Sequence, residues 1–171
     1  MLFRSQLTNL FPDLTVLENV RLAVQARAGV FLSCLGLAAD RTDLTDRAMA
    51  YLVRVRMDQR ATTPAAELSH GDQRKLEVAM LLALEPDIFM FDERTAGMSV
   101  DEVPVILDLI ETIKAQSHKT ILLVEHKMDV VRRLADRVIV LHNGALVADG
   151  DPEAVVASPI VQEAYLGVRP G

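Results

Sequence analysis

The apolar run Ile88-Phe89-Met90-Phe91 ends on two carboxylates, Asp92 and Glu93. Such a run reads as a buried strand, and acids at its carboxyl end stand where open α/β sheets bind ligands. An Asp-Glu pair also closes ordinary strand-to-helix turns, so the pair alone leaves both uses open. Leu68-Ser69-His70-Gly71-Asp72-Gln73 offers a different chemistry. A serine hydroxyl, a glycine and open backbone amides at a helix start attract an anion, helped by the positive end of the helix dipole. The plain use of Ser69 is as the N-cap of a core helix. His126 follows the apolar segment Thr120 to Glu125 and therefore sits at a second strand end, beside the crevice of Asp92 and Glu93.

Positioning these groups takes two kinds of element. Thr15 to Arg27 carries Val16, Leu17, Val20, Leu22, Ala23 and Val24 at helical spacing, with Thr15 as N-cap and Glu18 three residues on. Asp43 to Met57 predicts a second helix with Leu44, Ala48, Tyr51, Leu52 and Val55 on its buried face. A third runs from Ser69 to about Glu85, where Pro86 and Asp87 stop it. From there the pattern alternates: strand 88–91, helix 101–117, strand 120–125, helix 127–135, strand 137–141. That alternation predicts a parallel sheet with covered faces. His142, Asn143 and Gly144 predict a turn into a hairpin strand, Ala145 to Ala148. Short helices follow from Asp151 or Pro152 and from Ser158 with Pro159. The change of composition near Pro86 divides the chain into a mostly helical part, residues 1–85, and an α/β part, residues 86–171.

The bulk numbers exclude several function classes. With 171 residues, half of them hydrophobic and a quarter charged, the chain has material for one globular core. A net charge of -6 with interspersed signs argues against a nucleic-acid surface, which needs clustered Lys and Arg. Val30 to Ala39, the longest apolar stretch, is about half of a membrane span, so any membrane role runs through a partner. Cys34 is the only cysteine, which rules out an internal disulfide and a cysteine-based zinc site and fits a reducing cytosol.

Taken in order, LSHGDQ at 68–73, IFMFDE at 88–93 and LLVEH at 122–126 resemble the signature, Walker B and switch-histidine segments of the ATP-binding subunit of ABC transporters. The signature is a variant of LSGGQ, with His70 at the third position and Asp72 at the fifth. Arg4-Ser5-Gln6 and the stretch Leu10 to Val20 resemble the Q-loop and its continuation in the branched-chain amino-acid importer type, without the usual aromatic between Ser5 and Gln6. Arg94-Thr95-Ala96-Gly97-Met98-Ser99 resembles the approach to the D-loop, with Arg94 where proline is usual and Ser99 where many members carry Asp.

The resemblance implies a P-loop NTPase, RecA-like ABC ATPase fold, incomplete, with a helical signature subdomain. It implies ATP and Mg²⁺ as cofactors. Asp92 would hold the metal through its water shell and Glu93 would orient or deprotonate the attacking water. His126 would bond the γ-phosphate, Gln6 would touch the metal or lytic water, and Ser69, His70, Gly71 and Asp72 would face the ATP of a second ATP-binding subunit. The implied partners are that subunit, as a homo- or heterodimer, and membrane permease subunits. The implied place is the cytoplasmic side of the cell membrane, as a peripheral subunit that couples ATP hydrolysis to uptake of amino acids or similar small solutes.

One part is absent from the sequence: no glycine is followed by lysine, and none precedes Gly29, so there is no GxxxxGK. A phosphate-binding loop supplies backbone amides and a lysine to the β- and γ-phosphates. The expectation is a truncated or misassigned reading frame that is incompetent alone. In the family fold the Walker A strand lies between the strands matching 120–125 and 137–141, which must then close the gap or expose edges. The alternative is a non-catalytic interaction module that lends its signature helix to a complete ATPase or docks on a permease.

Overall fold

The structure, a computed structural model, describes residues 10–29, 39–92, 103–116 and 118–163. It divides into two compact units, residues 1–122 and 123–171.

Three helices dominate the first unit: α1 (Val16–Ala28), α2 (Ala39–Arg54) and α3 (His70–Ala83). Thr15 caps α1 as expected, its hydroxyl accepting the Glu18 amide at 3.2 Å, and Gly29 closes the helix with a φ of 70°. Val16, Val20 and Val24 of α1 are buried, as are Leu44, Ala48 and Leu52 of α2. These faces pack on each other and on α3, which is buried without a break from Leu76 to Ala83. A helix covered all round lies in the middle of its group.

The second helix starts earlier and ends earlier than its spacing predicts, at Arg54 instead of Met57. The physical cause is Arg56, held at a φ of 57°. The Met57 amide donates to Leu52 O at 2.9 Å and the Arg56 amide to Val53 O at 3.0 Å, the paired closure of a Schellman cap. An arginine occupies the left-handed position that glycine usually fills, so the sequence carries no stop signal there.

After α3 the chain turns at Glu85 and enters β1 (Ile88–Asp92), where Phe89 and Phe91 are buried and stack with ring centroids 6.1 Å apart. Helix α4 (Val103–Lys114) follows, buried through Ile106, Leu109, Ile110 and Ile113. Then comes β2 (Thr120–Val124), paired with β1. The Thr120 amide donates to Asp87 O at 3.0 Å, so the two strands begin side by side and run the same way.

In the second unit, α5 (Met128–Leu134) leads to β3 (Val138–His142) and β4 (Ala145–Gly150), an antiparallel hairpin that α6 (Pro152–Ala157) and α7 (Pro159–Val161) pack against through β4. Asn143 and Gly144 both take positive φ, the requirement of the tight turn that their types predict.

The expected covered faces are not found. Among the described residues the strands form two separate two-stranded sheets, β1-β2 and β3-β4. Leu122 and Val124 of β2 are about half exposed, and Ile139, Leu141 and Leu146 are 58%, 60% and 61% exposed. Successive side chains of a strand point to opposite faces, so a two-stranded sheet covered on one face leaves the alternate residues open, as on the β3-β4 hairpin that packs α6 and α7 through β4.

Candidate functional site

The start of α3 is built by local chemistry. Ser69 takes an extended backbone and its hydroxyl accepts the Asp72 amide at 3.1 Å, while the Gln73 amide donates to Ser69 O at 2.9 Å. Gln73 also reaches back, Nε2 donating to Leu68 O at 3.2 Å, and Leu68 is buried. That anchors the residue before the cap, so Ser69 and His70 remain exposed while Gly71 is buried. The sequence-based N-cap role of Ser69 is therefore what the structure contains.

Asp72 stands in the first turn, where a carboxylate is favoured by the helix dipole. Its charge would weaken an anion site at the same helix end, and the fold offsets it with two cations. Lys75 Nζ lies 3.1 Å from Asp72 Oδ1 and Arg60 Nε 3.6 Å from Oδ2, both near a half-buried carboxylate. The Lys75 contact was readable from its i,i+3 spacing on a helix. Nothing in the sequence marks Arg60, which arrives from a separate 3₁₀ turn, Asp58–Arg60.

Asp92 is the last residue of β1 and is exposed, beyond the buried Phe91 that fixes the strand. His126 lies two residues past β2, exposed, its backbone amide donating to Glu125 Oε2 at 3.3 Å. Ser69 and Asp92 belong to the first unit and His126 to the second. Gln6, Glu93, Arg94 and Ser99 lie outside the described residues. Among the described residues no group of three His, Cys, Asp or Glu side chains converges on a metal position. Asp92 offers one exposed carboxylate at the strand end, the kind of donor that Mg²⁺ takes alongside substrate phosphates and its own waters.

Two features that the sequence did not reveal stand out. Asn19 is wholly buried and ties down the loop before α1: Phe11 N donates to its Oδ1 at 2.9 Å, and its Nδ2 donates to Phe11 O, Leu14 O and Thr15 O at 3.1, 3.3 and 2.9 Å. Across the hairpin, Arg137 donates to both oxygens of Asp149 at 2.7 Å each. Those bonds hold the Asp149 carboxyl below the usual carboxylate range and raise Arg137 further.

A helix-capped signature segment, an acid-terminated strand and the strand-loop histidine occur together in a chain that matches the family described as ABC transporter over residues 1–96, and a second, described as branched-chain amino acid ATP-binding cassette transporter, over residues 145–170. The chain belongs to the ABC transporter ATP-binding family. It is 36% identical over 167 residues to the high-affinity branched-chain amino acid transport ATP-binding protein LivG of Salmonella typhimurium, covering 95% of this chain and 66% of that one. It is 33% identical to BraF of Pseudomonas aeruginosa, with the same coverage. Similarity extends to HisP of Salmonella typhimurium, a histidine/lysine/arginine/ornithine transport ATP-binding protein, at 36% identity with 92% and 60% of the two chains covered. The chain thus spans just under two thirds of the length of the LivG relatives.

Among solved structures, the ATP-binding cassette MJ0796 in its dimeric, ADP- and phosphate-bound state matches with a TM-score of 0.69 at 26% identity, covering 86% of this chain and 60% of that one. The ADP form of MJ1267 matches in fold, with a TM-score of 0.68 at 24% identity, over 92% and 64%. These likenesses give the fold as that of the ABC ATPases, a P-loop NTPase.

Proposed function

We propose that the chain forms the signature and Walker B side of the ATP-binding subunit of a branched-chain amino-acid importer, coupling ATP binding and hydrolysis to uptake of amino acids or similar small solutes. The observation that carries this is the start of α3, an exposed Ser69 and His70 on a capped helix N-terminus, upstream of a buried strand that ends on Asp92. Ser69, His70 and Gly71 face the γ-phosphate of ATP held by a second ATP-binding subunit, with the Asp72 charge offset by Lys75 and Arg60. Asp92 would hold Mg²⁺, which when bound would supply charge neutralisation at the phosphates. Glu93 orients or deprotonates the attacking water, His126 bonds the γ-phosphate, and Gln6 would touch the metal or the water.

In this reading residues 1–85 are the Q-loop and helical signature part, and residues 86–171 carry Walker B and the switch histidine. The subunit works at the inner face of the cell membrane on permease subunits. No helix among the described residues is long and apolar enough to cross a membrane.

The 171-residue chain contains no GxxxxGK. Losing three charge-assisted phosphate contacts at about 2 kcal/mol each removes about 6 kcal/mol, on the order of 10⁴-fold in affinity. The isolated chain therefore binds Mg-ATP no better than millimolar by calorimetric titration, and shows no turnover that Glu93→Gln abolishes. Micromolar Mg-ATP binding would refute this. The exposure of Ser69 at the open end of α3 favours a second reading, in which the chain lends its signature helix to a complete ATPase. Stimulation of such a partner's ATP turnover, lost in Ser69→Arg, distinguishes it.

A further inference from the structure

Arg56 is a strained residue whose side chain has no role within the fold. It holds the left-handed position of the cap that ends α2, at a φ of 57°, where glycine closes the same backbone hydrogen bonds without strain. Its side chain is exposed and makes no hydrogen bond or ion pair among the described residues. The negative end of the helix dipole accounts for a cation inside the last turn, as with Arg54. It does not account for one that strains the backbone just beyond that turn. Strain retained where a glycine would relieve it points to a use for the side chain outside the chain's own fold. We propose that Val53, Arg54 and Arg56 form a docking surface for a short acidic segment of a partner protein, in which carboxylates flank an apolar side chain.

The surface stands on a fixed backbone. Leu52, Val55 and Met57 are buried, so the residues between them are turned outward. Val53 is 56% exposed and places an apolar side chain beside the two arginines. The Arg54 guanidinium lies 5.8 Å from the centroid of the Tyr51 ring, and the Tyr51 hydroxyl is itself fixed by donating to Glu85 Oε1 at 2.7 Å. That cation-π contact orients Arg54 and uses none of its N–H donors. Asp58, exposed two residues beyond Arg56, forms no ion pair with either arginine.

The charges select the partner. Guanidinium groups take carboxylates through paired, charge-assisted bonds, and Val53 adds an apolar contact that a row of phosphates does not match. The chain as a whole carries a net charge of -6. An extended polyanion such as a nucleic acid or an anionic membrane meets that general repulsion, whereas a short segment engages the two arginines alone.

The test is calorimetric titration of the full chain, at low ionic strength, with the blocked peptide acetyl-Glu-Glu-Leu-Glu-Glu-amide. Two control peptides replace the glutamates by glutamine or the leucine by serine. The expected result is saturable binding in the millimolar range or tighter, weakened about fivefold or more in each control peptide and in Arg54→Gln, Arg56→Gly and Val53→Ser, the effect of losing one exposed contact. Arg56→Gly carries the test, because relief of the left-handed strain keeps it at least as stable as the parent, and a loss of binding there is not a loss of fold. No saturation, equal binding of the glutamine peptide, or unchanged affinity in Arg56→Gly overturns the proposal. So does a lower urea midpoint for Arg56→Gly, which would assign the side chain to the fold. Tighter binding to phosphatidylglycerol vesicles or to single-stranded oligothymidylate, lost in the same variants, also overturns it, by making the surface one for phosphates. None of these readouts involves ATP, so failure here and failure of the nucleotide reading are separable.

Discussion

Replacing Asn19 by alanine tests how the loop ahead of α1 is held. The side chain makes four hydrogen bonds while fully buried, and truncation removes all of them. The three carbonyls keep one other donor each: Leu14 N on Phe11 O at 3.1 Å, Ala65 N on Leu14 O at 3.0 Å, and the Asn19 amide on Thr15 O at 3.0 Å. Each of those lost bonds then costs the low end of a net hydrogen bond, about 0.5 kcal/mol. Phe11 N has no second acceptor among the described residues, and an unsatisfied amide costs about 1–3 kcal/mol, toward the lower value here because Phe11 is exposed. With the void left by the side chain, the loss is about 3 kcal/mol.

In urea, with a slope of about 2 kcal/mol per molar, the unfolding midpoint followed by circular dichroism falls by about 1.5 M. Asn19→Asp separates donor from acceptor function. It still accepts from Phe11 N, but it places a buried charge, with nothing to donate, against three carbonyl oxygens. It is therefore expected to be worse than alanine, since an unpaired buried charge costs more than a missing bond. An alanine variant within experimental error of the parent, or an aspartate variant milder than alanine, would refute the reasoning.

Tyr51 gives a pH dependence. Burial first, and then its bond to Glu85, push its pKa up to about 12 from 10. The folded state holds this proton more tightly than the unfolded state, so the contribution is complete below pH 10 and is lost as pH rises toward 12. The parent is thus expected to lose more stability across that window than Tyr51→Phe in parallel melts. Arg56→Gly relieves the left-handed strain at the end of α2 and is expected to raise stability by about 1 kcal/mol, seen as a higher urea midpoint; a lower midpoint would show that Arg56 is held by contacts stronger than the strain. Phe91→Ala removes a ring that is 1% exposed and is expected to cost about 3–5 kcal/mol, read from the same midpoint. Ile139→Thr with Leu146→Thr is expected to reduce concentration-dependent association in analytical ultracentrifugation without lowering the melting temperature, because both side chains are mostly exposed.

The elements legible in the sequence are those whose causes are local. Thr15 and Ser69 read as caps because a hydroxyl reaches an amide three residues on, and each does so here; of the two starts left open for the first short C-terminal helix, Asp151 is the cap and Pro152 the first helical residue. Asn143-Gly144 read as a hairpin turn because those types tolerate positive φ. The end of α2 was illegible because its stop is a conformation of Arg56, set by what the chain must do next and not by residue type. The compensation of Asp72 was half legible, as Lys75 is a helical neighbour and Arg60 is brought in by tertiary packing.

The same distinction explains the strands. Composition predicted buried strands, and β1 is one, but burial belongs to the neighbours a strand finds and not to its own residues. Phe89 and Phe91 are buried, whereas Ile139 and Leu141, equally apolar, stay 58% and 60% exposed on a two-stranded hairpin that packs α6 and α7 through β4. An apolar strand pattern therefore states what a chain can bury. The exposed alternates of β2 and β3 measure how much of that capacity this polypeptide leaves unused, and they are the residues to which any stabilising partner must add cover.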